Sequence, residues 1–323
     1  GMRRGKIVLI LLLAAIACFL TGVLIWGIRA GQGEFGESLR RSFSIGRGEH
    51  TQEVDLSGIR EICLDYGSVD LHFSREGGSQ MVLTEIFSGD PKEENFARIQ
   101  RDEDSGRVTV TKGKDYGAFW FFSFGSGISR AEITLPEEYA GKLTVVTGSG
   151  NVEADSLSCS SLSLTAGSGD IRLDQLDAAL TVHTGSGNLQ TYGCRGSLEF
   201  ETGSGDVQAE NQEGAVRGST GSGDVELPGG CGSRAVKTGS GDVLLDCGGE
   251  AIQVETSSGD VHIRNLADVS FRLETETGSG DLEGAVFREL GADEDAKRFQ
   301  GVYGSSPEFQ IILRTGSGDM RLE

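Results

Sequence analysis

The residues of this chain best placed to do chemistry are acidic and come at a fixed interval. Asn151, Asp170, Asn188, Asp206, Asp224, Asp242, Asp260, Asp281 and Asp319 each close a Gly-Ser-Gly or near-identical unit, at steps of 18 or 19 residues that lengthen to 21 and 38 at the end. Paired acids can cleave a glycosidic bond, and a column of hard oxygen ligands can hold calcium. Catalysis, however, needs unlike groups converging in a cleft, and these units are near-copies of one another. The calcium-binding nonapeptide repeat has Gly-x-Asp and two loops per turn; here Gly and Asp are adjacent, with one loop per turn. The expected role is structural: each Asp or Asn side chain bonds to nearby backbone in its own turn. A cation ladder is the alternative, because like charges about 4.8 Å apart repel by about 0.9 kcal/mol per pair even in water.

Other chemistry is sparse. His50, His72, His183 and His262 are scattered along the chain and read as solvated residues rather than bases or ligands. Gly-Ser-Gly is not a Gly-x-Ser-x-Gly elbow, and a repeated serine is the opposite of one activated nucleophile. No phosphate-loop or dinucleotide fingerprint occurs, so no cofactor is expected and the chain is not read as an enzyme. The six cysteines match no zinc spacing. Cys231 and Cys247 fall in turns of adjacent repeats, within disulfide reach; the alternative is that both stay thiols.

The elements that must position these residues follow from alternation. After Gly239-Ser240-Gly241-Asp242, Val243 and Leu245 alternate with Leu244 and Asp246; a Cys-Gly-Gly turn follows, then Ile252, Val254 and Thr256 alternate with polar residues. That is the period of a strand. Each repeat is two short strands and two turns, and none can bury its inward face alone. Repeats must therefore stack with hydrogen bonds running from rung to rung. The fold class is all-β: a single-stranded parallel β-helix, a β-solenoid expected to be right-handed, behind an N-terminal transmembrane helix. The glycines suit turns that need positive φ or close backbone approach.

Residues 1–6 read as a basic cytoplasmic tail. Residues 7–28 carry no charge, and their 22 residues span about 33 Å, enough to cross a bilayer. Arg3, Arg4 and Lys6 before the run place the N-terminus inside and the rest outside. Cleavage after Ala15-Ile16-Ala17, or lipidation of Cys18, are the alternatives to a retained anchor. Residues 29–48 form a linker, 49–140 an irregular β region capping the solenoid, and 141–323 the solenoid, with an insertion at 283–308. The 38-residue step is read as two periods with one degenerate rung between them. Since the chain stops one strand after the last motif, an uncovered terminal rung offers self-association.

The net charge of −20 excludes nucleic acid as a partner, because nothing basic is clustered to meet phosphate. The aromatic segment containing Phe119, Trp120, Phe121, Phe122 and Phe124 is the candidate partner contact; the competing reading is a cap folded over the end of the core.

The repeats, with Ile133-Thr134-Leu135-Pro136 leading into Leu143-Thr144-Val145-Val146-Thr147-Gly148-Ser149-Gly150-Asn151-Val152, resemble the putative-adhesin family of bacterial β-strand-repeat envelope proteins of unknown function. The resemblance covers roughly residues 50–323 and implies a parallel β-helix at a bacterial cell membrane. It supplies no catalytic or ligand residues. The function expected is a membrane-anchored extracellular β-solenoid acting as a surface adhesion or scaffold protein, its membrane contact made through 7–28 and its partner a surface protein or glycan. The alternative is an envelope-stress sensing or binding module, which some relatives suggest; a β-helical carbohydrate-active enzyme is a third.

Overall fold

A computed structural model of the chain describes residues 47–115, 118–119, 122–123 and 127–323. The expected transmembrane helix at 7–28 lies outside them; among the described residues no helix is long and apolar enough to cross a membrane. Residues 48–87 and 91–323 make one compact unit. Two thirteen-stranded sheets face each other, and every repeat contributes one strand to each.

The alternation read from the sequence is the alternation seen. In strand Val207–Glu210, Val207 and Ala209 are buried while Gln208 faces out; in strand Leu198–Thr202, Leu198, Phe200 and Thr202 are buried. Neighbouring rungs pair in parallel and in register, so Ile171, Leu189 and Val207 stack in one sheet and Leu180, Leu198 and Val216 in the other. Each column continues the interior that a single rung could not close. Size varies along a column but is compensated between rungs: Gly218 lies opposite Phe200, and a Cβ on Gly218 would come within 2.4 Å of that ring.

The rungs do not stack in chain order throughout. Strand Phe309–Thr315 pairs with Ile252–Thr256 on one side and Phe271–Thr277 on the other. Strand Met320–Leu322 likewise lies between Val261–Arg264 and Leu282–Glu283. The last rung in sequence is thus the penultimate rung in space. It slots beneath the rung that precedes it in the chain.

Two expectations change as a result. There is no degenerate rung between Asp281 and Asp319: residues 283–308 instead hold a short helix, Ala285–Leu290, and strand Arg298–Tyr303, which pairs antiparallel with Phe271–Thr277 and closes that sheet's edge. Nor is the C-terminal rung an uncovered edge for self-association, because both its strands are paired on both sides. In the other sheet the edge is Leu282–Glu283, where the Leu282 N–H donates to the Glu294 carbonyl at 2.7 Å.

The opposite end repeats the device. Strands Glu61–Asp65 and Asp70–Glu76 pair on one side with the regular solenoid, Lys142–Thr147 and Val152–Asp155. On the other side they pair with the later segments Arg107–Thr111 and Ile128–Pro136. Antiparallel strands Arg98–Asp102 and Gln80–Ser88 then cover that outer rung. Antiparallel strands thus follow the parallel ones in both sheets at this end and in one sheet at the other, covering edges that could pair with other chains.

Candidate functional site

The repeated turn is built from three hydrogen bonds. The Thr hydroxyl accepts the N–H of the second glycine three residues on, as Thr202 does from Gly205 at 3.0 Å. The same hydroxyl, where its proton points to the neighbouring rung, donates to that rung's glycine carbonyl, as Thr220 does to Gly205 at 3.3 Å. The third bond belongs to the acidic column. The Asn151 N–H donates to Asp70 Oδ1, Asp170 to Asn151, Asn188 to Asp170, Asp206 to Asn188, Asp224 to Asp206, Asp242 to Asp224 and Asp260 to Asp242, all at 2.8–2.9 Å. The series then runs Asp319 to Asp260 and Asp281 to Asp319, each at 2.8 Å. The side chain therefore bonds the equivalent residue of the next rung and not its own turn. The jump from Asp260 to Asp319 and back to Asp281 traces the inserted rung independently of the strands.

Each of these bonds offsets the repulsion along the column by giving one carboxylate oxygen a backbone donor. Asn serves equally, since only Oδ1 is used. Asp224→Ala, which leaves the Asp242 N–H without its acceptor, is expected to lower stability by about 1 kcal/mol, whereas Asp224→Asn should be neutral or slightly stabilising. Urea unfolding of the two variants beside the parent checks this. Equal losses would mean that charge, and not the accepted bond, matters.

Outside the turns, two clefts run along this face. One, of about 230 Å³, is lined by Asn151, Asp170, Arg172, Asn188 and Gln190; the next, of about 190 Å³, by Asn188, Gln190, Asp206, Gln208, Asp224 and Glu226. They share Asn188 and Gln190, so amides and carboxylates line them at rung spacing. Exposed Tyr192 stands two residues beyond Gln190 on the same strand. Among the described residues no group of three His, Cys, Asp or Glu side chains has the geometry to hold a metal ion.

The histidines are placed with partners. His72 faces Glu153 at 3.5 Å, His183 faces Glu201 at 3.4 Å and His262 faces Glu323 at 3.2 Å, each pair on adjacent rungs. His50 stacks flat on Phe96 at 3.6 Å and points Nδ1 toward Glu85 at 3.9 Å. The first three read as pairing across rungs.

The aromatic segment is described only in part. The backbone of Ala118–Phe119 pairs antiparallel with Phe122–Ser123 as a separate two-stranded hairpin belonging to neither large sheet; Trp120, Phe121 and Phe124 lie outside the described residues. Cys231 and Cys247 are both free thiols in the structure. At the 283–308 insertion a cavity of about 610 Å³ is lined by Arg288, Arg321, Glu283, Asp293, Glu294 and Glu323 among others; its charges are mixed and show no convergence on one ligand.

Two almost wholly buried charged groups escaped the sequence reading. Glu85 is fully buried, accepting the Tyr66 hydroxyl at 3.3 Å and the Ala97 N–H at 2.8 Å. Burial holds its carboxyl above the usual range, and burial also lowers His50. A raised folded-state value for an acid means stability that is full below the ordinary carboxylate range and is lost as pH rises through the raised value. Glu85→Gln can keep both contacts with no charge to bury, its Oε1 accepting from the Ala97 N–H and its Nε2 donating to the Tyr66 hydroxyl oxygen. Its thermal midpoint should match the parent near pH 4 and exceed it near pH 7, by about 1–3 °C; a deficit at pH 7 would mean that the ionised form is the one the fold uses. Arg234, the second group, occupies an aliphatic column between Val216 and Ile252. Setting the repeats in register would have exposed it: Leu180, Leu198, Val216, Arg234, Ile252.

A family model described as Toastrack DUF4097 matches residues 59–323. No curated protein matches the chain. Among solved structures, one described as a putative cell adhesion protein from Clostridium sporogenes is similar at 16% identity and a TM-score of 0.33, covering 86% of this chain and 99% of its own. One described as a putative lipid binding protein from Parabacteroides distasonis shows 15% identity and a TM-score of 0.43, covering 84% and 96%. A putative adhesin from Bacteroides fragilis shows 11% identity and a TM-score of 0.36, covering 86% and 99%.

Proposed function

The chain belongs to the Toastrack DUF4097 family, and from that premise we propose that it is a non-enzymatic, membrane-anchored solenoid that presents a repetitive polar face outside the bacterial cell for adhesion or scaffolding. The observation that carries the reading is the acidic column itself. One turn recurs from rung to rung with its Asp or Asn in the same hydrogen bond each time, and repetition of one polar unit suits contact with an extended, repetitive partner. The two shared clefts offer amide donors and carboxylate acceptors at the rung spacing of about 4.8 Å. The uncharged run at 7–28 and its basic flank supply the anchor.

The full chain in detergent, presented to an array of bacterial wall and capsule glycans with and without calcium, tests this. Retention of at least one polymer, weakened several-fold by Gln190→Ala with Gln208→Ala, is the expected outcome. Turnover of a polysaccharide abolished by a single carboxylate change would sink it in favour of an enzyme. The separate hairpin around 118–123 favours a second reading, recognition of a peptide or membrane-active agent in envelope-stress sensing. Loss of partner binding on deleting 118–124, with glycan retention unchanged, would select that reading.

A further inference from the structure

The cysteines of this chain differ in placement. Cys159 and Cys194 are buried in the core, and burial pushes the Cys159 thiol up to about 11. Cys63 lies within strand Glu61–Asp65. Cys231 and Cys247 instead sit in turns of consecutive rungs, Cys231 exposed and Cys247 half-buried. A Cβ built on Gly248 would lie 3.0 Å from the Cys231 Cα and from the Gly232 N, so Gly248 stacks on the Cys231–Gly232 peptide and Cys247 lies one residue before it. A rung spacing of about 4.8 Å with a one-residue offset of about 3.5 Å separates the two cysteine Cα atoms by about 6 Å, inside the window a disulfide needs. Gly229, Gly230, Gly232 and Gly249 adopt positive φ around them, a backbone that glycine holds without cost.

The surroundings add two observations. Arg234, 1% exposed, lies beneath this corner: it donates to the carbonyls of Gly214 at 2.8 Å and Gln212 at 3.2 Å while its Nε makes no hydrogen bond. Its charge opposes the rise that burial imposes on the Cys247 thiol. The ladder is also short here. Strand Val225–Leu227 pairs over two residues with the preceding rung and three with the next, against four in neighbouring rungs, and Pro228 ends it.

We propose that Cys231 and Cys247 are an oxidisable dithiol that closes into a disulfide clip between neighbouring rungs by exchange with a low-molecular-weight disulfide. The exposed Cys231 thiolate attacks one sulfur of that disulfide; its S–S bond breaks and one thiolate leaves, taking a proton from water. Cys247, as thiolate beside Arg234, then attacks the Cys231 sulfur and displaces the second thiol. One small disulfide is reduced to two thiols, and the pair gives up two electrons and two protons. The clip ties the rung of Val225–Leu227 to the next, where their ladder is three residues long.

The test incubates the full chain in detergent with glutathione disulfide, then maps non-reduced peptides. The parent should lose two hydrogens in intact mass and yield one peptide joining 231 to 247, with a thermal midpoint about 5 °C above the reduced form, an increment that vanishes on reduction. Cys247→Ser should stop at a glutathione adduct on Cys231, and Cys231→Ser should stay unmodified at 247. Stable separate adducts on both cysteines of the parent, a pair that stays fully alkylatable, or a bridge joining either to another cysteine would each overturn the proposal.

Discussion

Replacing Leu313 by aspartate is expected to unfold everything from about residue 266 onward, while Leu273→Asp, forty residues earlier in the chain, frays only the outermost rung. Leu313 is fully buried, with Val254 facing it on one side and Thr275 on the other. An unpaired carboxylate there loses the leucine's burial and must also be desolvated, together at least about 5 kcal/mol. The rung 309–322 cannot then hold its place, and the rung 271–283 loses the surface it stacks on. Leu273 is likewise buried, but beyond it lies only the antiparallel strand Arg298–Tyr303. In a solenoid stacked in chain order the ranking would be reversed, with position 313 the milder. Amide exchange and limited trypsin cleavage decide it: Leu313→Asp should expose 266–323 and leave 143–263 protected. Protection of 271–283 in that variant would mean that the outer rung does not depend on the inserted one.

Deleting 309–323 altogether should do less harm than the point substitution. Thr277 aligns with Thr315 and Thr315 with Thr256; Leu273 aligns with Ile311 and Ile311 with Ile252. The outer rung therefore carries the columns it needs to drop one place and pair with 252–263. A connection of three residues more than the usual period, seen in the 21-residue step from Asp260 to Asp281, is what lets the chain climb past a vacant rung in the native order. The substituted 309–323, expelled but still tethered to the outer rung through 283–308, crowds the vacancy; the deleted one leaves it open.

What was legible in the sequence, and what was not, divides along this line. Period-two alternation and the Thr-Gly-Ser-Gly-Asp unit specify a rung, because each residue's direction is set by its neighbours in the chain. Rung order is set by which surfaces meet, and near-identical surfaces do not encode it. Asp319 on Asp260 is as good a match as Asp281 on Asp260 would have been. The antiparallel strand Arg298–Tyr303 was hidden for a related reason: its Arg-Phe-Gln-Gly-Val-Tyr alternates weakly, half-buried against exposed, with nothing fully buried. For the acidic column, the expected local turn bond and the observed bond to the next rung use the same side-chain oxygen, so composition could not separate them. Arg234 and Glu85 were missed because a charged residue in a repeat is read as outward until the register is drawn.

Gly223→Ala is expected to cost more than about 4 kcal/mol, the range reserved for groups that cannot be accommodated by relaxation. The alanine methyl would lie 2.0 Å from the Gly205 carbonyl oxygen and 2.5 Å from its carbon, both rigid backbone of the rung beneath. Relief requires the rungs to part by about 1 Å at the corner where Thr220 donates to the Gly205 carbonyl and the Asp224 N–H to Asp206 Oδ1, and hydrogen bonds weaken steeply with such stretching. Glycine is demanded here by close approach and not by positive φ. Gly249 provides the opposite case, with φ +80 and nothing near its missing Cβ, and Gly249→Ala should cost only about 1–2 kcal/mol. Ser222→Ala, between the two glycines and exposed, should change stability by less than about 0.5 kcal/mol. The chain contains its own control. Val69 stands where the second glycine would be in Tyr66-Gly67-Ser68-Val69-Asp70 and is buried without clash. The rung it stacks on is built from 107–111 and 128–136, joined through residues 112–127 and not through the short turn of the regular rungs. Urea midpoints for the three variants should fall in the order Ser222→Ala, Gly249→Ala, Gly223→Ala, from highest to lowest. A Gly223→Ala midpoint equal to that of Gly249→Ala would mean that the rungs can part at the turn, and that the acidic column is not held at the spacing on which the proposed binding face depends.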